Sequence, residues 1–353
     1  MRIALIASAR FPVREPFAGG LEAHTWSLAS GLVARGHDVA LFAAPGSDQA
    51  LPVRQLPVRS VVLSDAARAD VSASEDWWMQ EHHAYLSLML ELRGEAFDVV
   101  HNNSLHYLPV AMAASLDVPV ISTLHTPPTP WLESAVQASH RSPVSFAAVS
   151  AHTARAWRHV IPDATVVRNG IDVARWTQGA GGGPAVWSGR VVPEKGPHLA
   201  AQAAALAGVP LVLAGPVLDQ AYFDQLVRPL LGPTIEYAGH LRSEELVPLI
   251  GAASVCLVTP CWDEPYGLVV AEAMACGTPV AGFARGALPE LVGREHGRLV
   301  PAGAVTDLAR ALVRAGDLDR DVIRQHAVQT CSVEAMLDGY EQLYDGSLEE
   351  QAA

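Results

Sequence analysis

The sequence predicts an α/β protein of two domains, each built around a parallel sheet. Its 353 residues exceed one ordinary domain and are enough for two hydrophobic cores. Continuous apolar runs such as 2–9, 118–124 and 210–214 alternate with segments of helical periodicity. Because such runs are typical of strands covered on both faces, and because helices separate them, the pattern predicts βαβ units.

Composition narrows the possible partners. Half of the residues are apolar and neither glycine nor proline clusters into low complexity, so we expect a globular chain. A formal net charge of −13 argues against nucleic acid as a partner. Four cysteines without C-x-x-C or zinc spacing are expected to be reduced and buried, as in a cytoplasmic protein. The apolar stretch 199–218 is divided by glycine and proline, so we expect no membrane span and at most peripheral membrane contact.

The first strand leads into a glycine-rich turn. Gly19 and Gly20 precede a helical pattern that ends at Gly36, and the next strand is predicted at 38–42. Two glycines at a helix entrance allow a ligand to approach the backbone amides closely. A nicotinamide-dinucleotide site is the competing interpretation, but the G-x-G-x-x-G pattern is absent here.

A helix with many aromatic residues is predicted after Ser72–Glu75, a segment that resembles a capping box. Apolar residues recur along it at helical spacing, namely Trp78, Tyr85, Met89 and Leu92. Four residues of this segment suggest an aromatic wall for a ligand, namely Trp77, Trp78, His82 and His83. An aromatic stripe at this spacing more often belongs to the core, so both interpretations stay open.

Polar residues follow two of the predicted strands. Asn102 and Asn103 come after the strand at 98–101, and His125 follows the strand at 118–124. Ligands of open parallel sheets bind at the carboxyl ends of the strands, so both segments are expected to border the ligand site. A lone histidine is usually structural, but its position before a proline-rich loop makes His125 a candidate site residue.

The second half of the chain begins with a candidate hinge and a basic loop. The hinge is expected at the glycine-rich stretch 179–184, which follows a turn at 169–172. Arg190 and Lys195 then lie five residues apart in a glycine-bounded loop. Two cations at this spacing could hold both phosphates of a pyrophosphate through charge-assisted hydrogen bonds, which contribute about 1.5–3 kcal/mol each. The alternative is that both residues are ordinary surface charges.

The stretch 263–280 predicts a short helix with an anion site at its start. A Pro–Gly turn precedes a run without helix breakers, and Gly277 and Pro279 end this run, so a helix is expected over 268–276. Its first amides have no partner inside the helix, and the helix dipole adds positive potential there. A phosphate group is the usual occupant of such a site.

Two carboxylates that are eight residues apart, Glu264 and Glu272, frame this helix start. Because a carboxylate beside an anion site would repel phosphate, each is better placed on the hydroxyl groups of a sugar or a ribose attached to that phosphate. The alternative is one glutamate favoured by the helix dipole and a second on a solvated face.

Residues 264–268 (Glu-Pro-Tyr-Gly-Leu) with the later Glu272 resemble the E-x7-E motif of family 4, a family of retaining glycosyltransferases with the GT-B architecture. Residues 286–292 resemble the stretch that follows in that family, and the likeness covers nearly the whole chain. The resemblance implies two Rossmann-like domains that face an interdomain cleft. It implies an acceptor-binding domain at 1–170, a nucleotide-sugar-binding domain at 171–332 and a helix at 333–353 that crosses back onto the first domain.

The same resemblance implies sugar transfer from a nucleotide-diphosphate sugar with retention of configuration, without a metal or other cofactor. UDP is the favoured nucleotide with GDP and ADP left open, and the acceptor stays open among sugars, lipids and other small molecules. Catalytic roles are implied for four residues: His125, Arg190, Lys195 and Glu264. Donor contacts are implied for ten residues: Gly19, Gly20, Gly189, His240, Leu241, Tyr266, Gly267, Leu268, Val269 and Glu272.

Several questions stay open at this point. Asp319-Arg320-Asp321 spells D-x-D, but it lies in a late polar helical stretch rather than after a core strand, so we do not expect a metal site there. The oligomeric state and the roles of Glu22, Asn102 and Asn103 are not predicted. The alternative functions are another GT-B enzyme, such as a nucleotide-sugar epimerase or a phosphorylase, and a non-catalytic partner that binds a nucleotide sugar.

Overall fold

The strands form two separate sheets in the computed structural model, which describes residues 1–72, 74–139 and 144–352. The first sheet consists of β1 (Arg2–Ile6), β2 (Asp38–Ala43), β3 (Val53–Gln55), β4 (Val99–Asn102), β5 (Val120–Leu124), β6 (Val144–Ala148) and β7 (Thr165–Val166). The second consists of β8 (Ala185–Ser188), β9 (Leu211–Ala214), β10 (Ile235–Tyr237), β11 (Cys256–Val258), β12 (Val280–Phe283) and β13 (Gly297–Val300).

Helices connect the strands and cover both faces of each sheet. Those of the first half are α1 (Gly20–Ala34), α2 (Asp65–Arg68), α3 (Asp76–Leu92), α4 (Leu108–Ala111), α5 (Pro130–Ala138) and α6 (Ala151–Trp157). Those of the second half are α7 (Pro197–Ala207), α8 (Gln220–Tyr222), α9 (Ser243–Ala252), α10 (Leu268–Ala275), α11 (Leu288–Leu291), α12 (Val305–Ala315), α13 (Arg320–Thr330) and α14 (Val333–Ala352). Short 3-10 turns lie at Ala113–Ser115, Pro193–Lys195 and Arg228–Leu230, and a π-helical turn lies at Phe223–Val227.

The two sheets share one topology. Their strand orders are β3-β2-β1-β4-β5-β6-β7 and β10-β9-β8-β11-β12-β13, and every neighbouring pair is parallel. The order therefore reverses beside β1 and again beside β8. In such sheets the crevice at the carboxyl ends of the strands is where ligands bind. The predicted pair of parallel α/β domains is confirmed.

The apolar runs are continuous because each central strand has a hydrophobic core on both faces. In β1, Ile3 and Leu5 belong to the core under α1 and α14, whereas Ala4 and Ile6 belong to the core under α3. Successive side chains of a strand point to opposite faces, so a strand covered on both sides must be apolar throughout.

The last helix, α14, packs on the first domain, as predicted. Its buried residues Met336, Leu337 and Tyr340 belong to the same core as Leu5 of β1. Arg35 at the end of α1 adds charged contacts, because its guanidinium lies 2.6 Å from Glu334, 2.7 Å from Asp338 and 2.5 Å from Glu341.

The crossover between the domains differs from the expected hinge. Ile171 donates its amide to the carbonyl of Cys331 at 2.8 Å and accepts from Val333 at 3.0 Å, so the two crossing segments run side by side. The glycine-rich stretch 179–184 lies within the second domain, where Gly181 donates to Gly251 at 3.0 Å. The prediction of a hinge at 179–184 is therefore wrong, because these glycines allow close backbone packing rather than a flexible connection.

Four smaller expectations can also be compared with the structure. Helix α3 begins at Asp76 with Glu75 as its N-cap and no side-chain cap, so the predicted capping box is wrong, and Ala73 within it lies outside the described residues. The predicted final segment likewise ends at Ala353, which is outside the described residues. Cys256, Cys276 and Cys331 are buried as expected, but Cys261 is exposed. In the described part of the chain, no helix has the length and hydropathy needed to cross a membrane.

Candidate active site

A cleft with a cavity volume of about 370 Å³ lies between the two domains. Residues of both domains line it, because the carboxyl ends of both sheets face the same space. All fourteen residues to which the sequence assigned a catalytic or donor-binding role line this cleft: Gly19, Gly20, His125, Gly189, Arg190, Lys195, His240, Leu241, Glu264, Tyr266, Gly267, Leu268, Val269 and Glu272.

Two helix N-termini face each other across the cleft. A Cβ added at Gly20, the first residue of α1, would lie only 3.1 Å from Cδ1 of Leu268, the first residue of α10. Gly267 caps α10 with φ of 99°, a left-handed conformation that favours glycine. Because the first amides of a helix lack acceptors within that helix, two sets of free N–H groups and two positive dipole ends meet here.

Arg190 of the second domain reaches the start of α1 in the first. A Cβ added at Gly19 would lie 3.6 Å from the Cδ atom of Arg190 and 3.3 Å from a carboxylate oxygen of Glu22. The guanidinium also lies 3.5 Å from Glu194, four residues along its own loop. This side chain therefore spans the two domains at the point where the helix N-termini meet.

Lys195 is held on the other side of the same loop. Its ammonium lies 2.5 Å from the carboxylate of Glu264 and 5.2 Å from the ring centroid of Trp262. The indole of Trp262 donates to the same Glu264 carboxylate at 3.0 Å. Thr259 holds the end of this loop, because its hydroxyl donates to the carbonyl oxygen of Gly196 at 2.8 Å. Lys195 and Glu264 thus form an ion pair in the wall of the cleft.

Two further carboxyl groups of the cleft have raised pKa values. Burial raises the pKa of Glu272 to about 7. Burial also raises the pKa of Glu22 to about 7, although the backbone N–H of Glu22 and the positive charge of Arg190 act in the opposite direction. The sequence left the role of Glu22 open, and the structure places this residue in the lining of the cleft.

His125 is held in one tautomer by a chain of hydrogen bonds. The hydroxyl of Thr25 donates to the carbonyl of Leu21 at 2.8 Å, so it accepts from Asn103 Nδ2 at 2.7 Å. This contact orients Asn103 so that its Oδ1 accepts from His125 Nε2 at 2.5 Å. The pKa of His125 is lowered well below 6.5, first by burial and then by the nearby His24 and His101. A neutral imidazole with its proton on Nε2 leaves Nδ1 as an acceptor.

The buried strand ends behind His125 form a polar network with α14. His101 Nδ1 lies 2.8 Å from the hydroxyl of Tyr344, and its Nε2 lies 2.8 Å from the hydroxyl of Thr123. Tyr340 lies 3.2 Å from the same Thr123 hydroxyl. Burial lowers the pKa of His101 to about 3, so this network is neutral near pH 7. The C-terminal helix α14 therefore packs in the core and also makes hydrogen bonds to the strand ends that border the cleft.

The domains are joined across the cleft by contacts that the sequence did not predict. Glu15 accepts from the hydroxyl of Ser243 at 2.7 Å and lies 2.7 Å from the guanidinium of Arg175. His240, for which the resemblance implies a donor contact, places its Nε2 2.9 Å from the carbonyl oxygen of Phe17. No sequence signal points to these pairs, because their partners are distant in the chain and carry no motif.

A second set of contacts joins the domains beside Glu264. The hydroxyl of Ser150, before α6, donates to the carbonyl of Pro265 at 2.6 Å. The amide of Ala151 donates to Glu290 at 3.0 Å, and Arg155 lies 2.9 Å from the same carboxyl group. The loop that carries Glu264 is therefore fixed from the opposite domain.

The D-x-D sequence has a structural role. Asp319 caps α13, because its carboxylate accepts from the amide of Asp321 at 2.9 Å. The carboxylate of Asp321 in turn accepts from Gln178 at 2.5 Å. Arg320 between them donates to backbone carbonyls of the second domain, including that of Gly251 at 2.8 Å.

Two parallel α/β domains that face one cleft are the GT-B architecture. Residues 18–175 match the model of Glycosyltransferase Family 4, and residues 184–317 match that of Glycosyl transferases group 1. Glycogen synthase of Mycobacterium tuberculosis is 30% identical over 335 residues, which cover 83% of this chain and 80% of that protein. The chain belongs to glycosyltransferase family 4.

Other similar proteins agree with this assignment. Phosphatidyl-myo-inositol mannosyltransferase of Mycobacterium leprae is 28% identical over 365 residues, covering 93% of this chain and 90% of that protein. The crystal structure of AviGT4, a glycosyltransferase involved in avilamycin A biosynthesis, has a TM-score of 0.71 and 27% identity, covering 99% of this chain and 98% of that one. The Anabaena Alr3699/HepE structure in complex with UDP-glucose has a TM-score of 0.77 and the same fold, with 20% identity, and covers 98% of this chain and 100% of that one.

Proposed function

We propose that this glycosyltransferase moves a hexosyl group from a nucleotide-diphosphate sugar to an acceptor hydroxyl with retention of configuration. The observation that carries the proposal is the convergence of Arg190, Lys195 and two helix N-termini in one interdomain cleft. In a chain of net charge −13, such a concentration of positive potential fits a diphosphate. The relatives named as a glycogen synthase and a mannosyltransferase support a hexosyl donor.

The diphosphate is the leaving group, so its developing negative charge is what the site must stabilise. Arg190 can donate from a planar fork, and each charge-assisted hydrogen bond contributes about 1.5–3 kcal/mol. Lys195 need not leave Glu264 to take part, because an ammonium has three donors and one carboxylate oxygen occupies only one of them. The start of α10 adds about 0.3–1 kcal/mol through its dipole.

The sugar lies between acceptor groups in this proposal. Glu264 and Glu272 accept from its hydroxyls, and Nδ1 of the neutral His125 is a third acceptor on the side of the first domain. An oxygen of the donor phosphate takes the proton of the acceptor hydroxyl. The bond from the anomeric carbon to the phosphate oxygen then breaks, while the bond to the acceptor oxygen forms on the same face. The step balances without a metal or other cofactor.

The donor is tested first, because its site is the better defined. A thermal-shift panel of UDP, GDP and ADP sugars should raise the unfolding midpoint of the protein by mass action, with the UDP sugars giving the largest shift. A larger shift with a GDP or ADP sugar would replace UDP in the proposal. A shift that disappears on addition of a chelator would contradict metal independence.

Retention is tested by incubation with UDP-glucose alone, so that water serves as the acceptor. A retaining enzyme releases α-glucose first, which proton NMR distinguishes from the β-anomer before the two interconvert. First release of β-glucose would contradict retention. An altered sugar configuration in the intact nucleotide sugar would favour an epimerase instead.

A further inference from the structure

A group of aromatic side chains extends from the cleft over the outer surface of the first domain. We call it the aromatic platform: Trp78, His82, Tyr107 and Trp131 form its connected rings, and Trp77 adjoins them as the residue before Trp78 in α3. Tyr107 and Trp131 stack at 5.1 Å between ring centroids, and Trp78 lies 5.6 Å from Trp131. Trp78 also stacks on His82 at 5.4 Å, while the Tyr107 hydroxyl lies 2.9 Å from His82 Nδ1. The platform is therefore a preformed arrangement drawn from α3, α5 and the loop before α4.

The core of the protein does not account for this surface. The side of α3 that faces the sheet buries Tyr85, Leu88 and Met89, and these residues satisfy the helix's core contacts. By contrast, Trp77 is 51% exposed and Trp131 is 56% exposed. Contiguous exposed aromatic surface is characteristic of binding sites rather than of ordinary solvent-facing helices.

The platform is continuous with the cleft. Arg10, Phe11 and Leu105 line the cleft, and the Arg10 guanidinium lies over the ring of Trp77 at 5.4 Å. Leu105 lies two residues before Tyr107 in the same loop. A molecule whose reacting hydroxyl enters the cleft on the His125 side can thus extend onto the platform.

The charges around the platform give no net attraction to an anionic ligand. Arg10 lies 3.2 Å from Glu81, Arg68 lies 3.5 Å from Asp76, and His159 lies 3.0 Å from Glu133. The described residues of α2, α3, α5 and 104–107 contain no other arginine or lysine. The arginines named here are paired with carboxylates, so these charges give an anion no advantage over an uncharged ligand.

An uncharged glycan has the complementary chemistry. The C–H faces of its sugar rings are apolar and stack on indole and phenol rings, while its hydroxyls pair with imidazole and indole N–H groups at the rim. Building on the proposed function, we propose that the aromatic platform binds an uncharged oligosaccharide acceptor of more than one ring. Its terminal hydroxyl enters the cleft beside His125.

The test is calorimetric titration of the full chain with maltoheptaose, mannohexaose and chitohexaose, with and without saturating UDP. We expect one of these glycans to bind the wild-type protein. Trp131→Ala and Trp77→Ala should each weaken that binding about tenfold, the loss expected for one stacking contact. Leu90→Ala is the matched control, because Leu90 is 53% exposed on α3 and lies outside the platform. Binding of UDP should be equal in all four proteins.

Each contrary result overturns the proposal. Unchanged glycan affinity in both tryptophan variants would remove the platform from the acceptor site, and so would a wild-type protein that binds none of the three glycans. Tighter binding of myo-inositol 1-phosphate would contradict an uncharged ligand, and tryptophan-dependent binding to phosphatidylcholine–phosphatidylglycerol vesicles would make the platform a membrane contact. Failure of the proposed function is distinguishable, because the wild-type protein would then bind glycan but not UDP.

Discussion

The two walls of the cleft differ in the kind of interaction that they offer to a ligand. The wall of the second domain presents fixed charge, through Arg190, Lys195 and the N-terminus of α10. The wall of the first domain beyond His125 presents aromatic rings and neutral imidazoles, because burial lowers the pKa of His82 and that of His106. A diphosphate is common to many donors and needs the same charges each time. An acceptor differs from one enzyme to another, so the wall that binds it carries no general motif.

The largest effect should come from removing charge at the first of these walls. Arg190→Ala is expected to lower the rate of UDP release from UDP-glucose by about 10²–10³-fold, the usual loss for one electrostatic donor in a transition state. Because the side chain is partly exposed, and because its pair with Glu194 at 3.5 Å and its attraction to Glu22 are both weak, the unfolding midpoint should change little.

The control for that variant is Arg228→Ala, which removes another i,i+4 arginine–carboxylate pair outside the cleft. It should leave the rate unchanged. If Arg190→Ala kept the wild-type rate and the same fold, Arg190 would not stabilise the leaving group. The proposed difference in function between the two walls would then be wrong.

The next effect concerns the junction of the two walls, where Asn103 orients His125. Asn103→Leu removes the Oδ1 acceptor and should lower kcat about tenfold with little change in the KM for the donor, because Nδ1 of the ring is no longer fixed toward the sugar. Nitrogen-15 NMR should show a mixture of His125 tautomers in the variant and only the Nε2-protonated form in the wild type. A wild-type spectrum with the proton on Nδ1 would contradict the orientation.

How much was predictable differs between the two walls for a physical reason. Gly267, Gly277 and the loop of Arg190 and Lys195 could be recognised because local backbone chemistry and short spacing carry their signal. The Asn103–Thr25 contact and the Glu15–Ser243 contact could not, since each joins segments that only the folded chain brings together. The expected hinge failed for the same reason, because glycines that permit close packing look the same in a sequence as glycines that permit motion.

A smaller effect should appear in the pH dependence. Burial raises the pKa of Glu272 to about 7, so this carboxylate becomes charged as the pH rises from 6 to 8. If the ionised form accepts from the donor sugar, kcat/KM should rise several-fold over this range with an apparent pKa near 7. Glu272→Gln should flatten that part of the profile. A profile that keeps the same shape in the variant would assign the titration to another group, for example Glu22.

The same group makes a separate prediction for stability, with a defined sign. The folded protein binds the Glu272 proton more tightly than the unfolded chain does, whose carboxyl has a pKa near 4.5. The contribution of this group to stability is therefore fully present below about pH 4.5, declines as the pH rises, and is lost above about 7. Glu272→Gln should raise the unfolding midpoint at pH 8 relative to the wild type and much less at pH 5. Equal shifts at both pH values would show that the substitution acts through packing instead of charge.

The smallest expected effect is that of salt on ligand affinity, and it compares the two walls directly. Raising the salt concentration screens exposed and partly exposed charges, so the affinity for UDP should fall a few-fold between about 0.05 and 0.5 M NaCl. The affinity for an uncharged glycan should stay constant or rise slightly, because stacking of apolar faces does not depend on ionic attraction and apolar burial is not weakened by salt. Paired titrations of one protein sample with UDP and with the best-binding glycan measure how each affinity depends on the salt concentration. We call this dependence the salt slope of the ligand. A glycan slope as steep as the UDP slope would mean that the acceptor side also binds through charge, in spite of the ion pairs that neutralise Arg10 and Arg68.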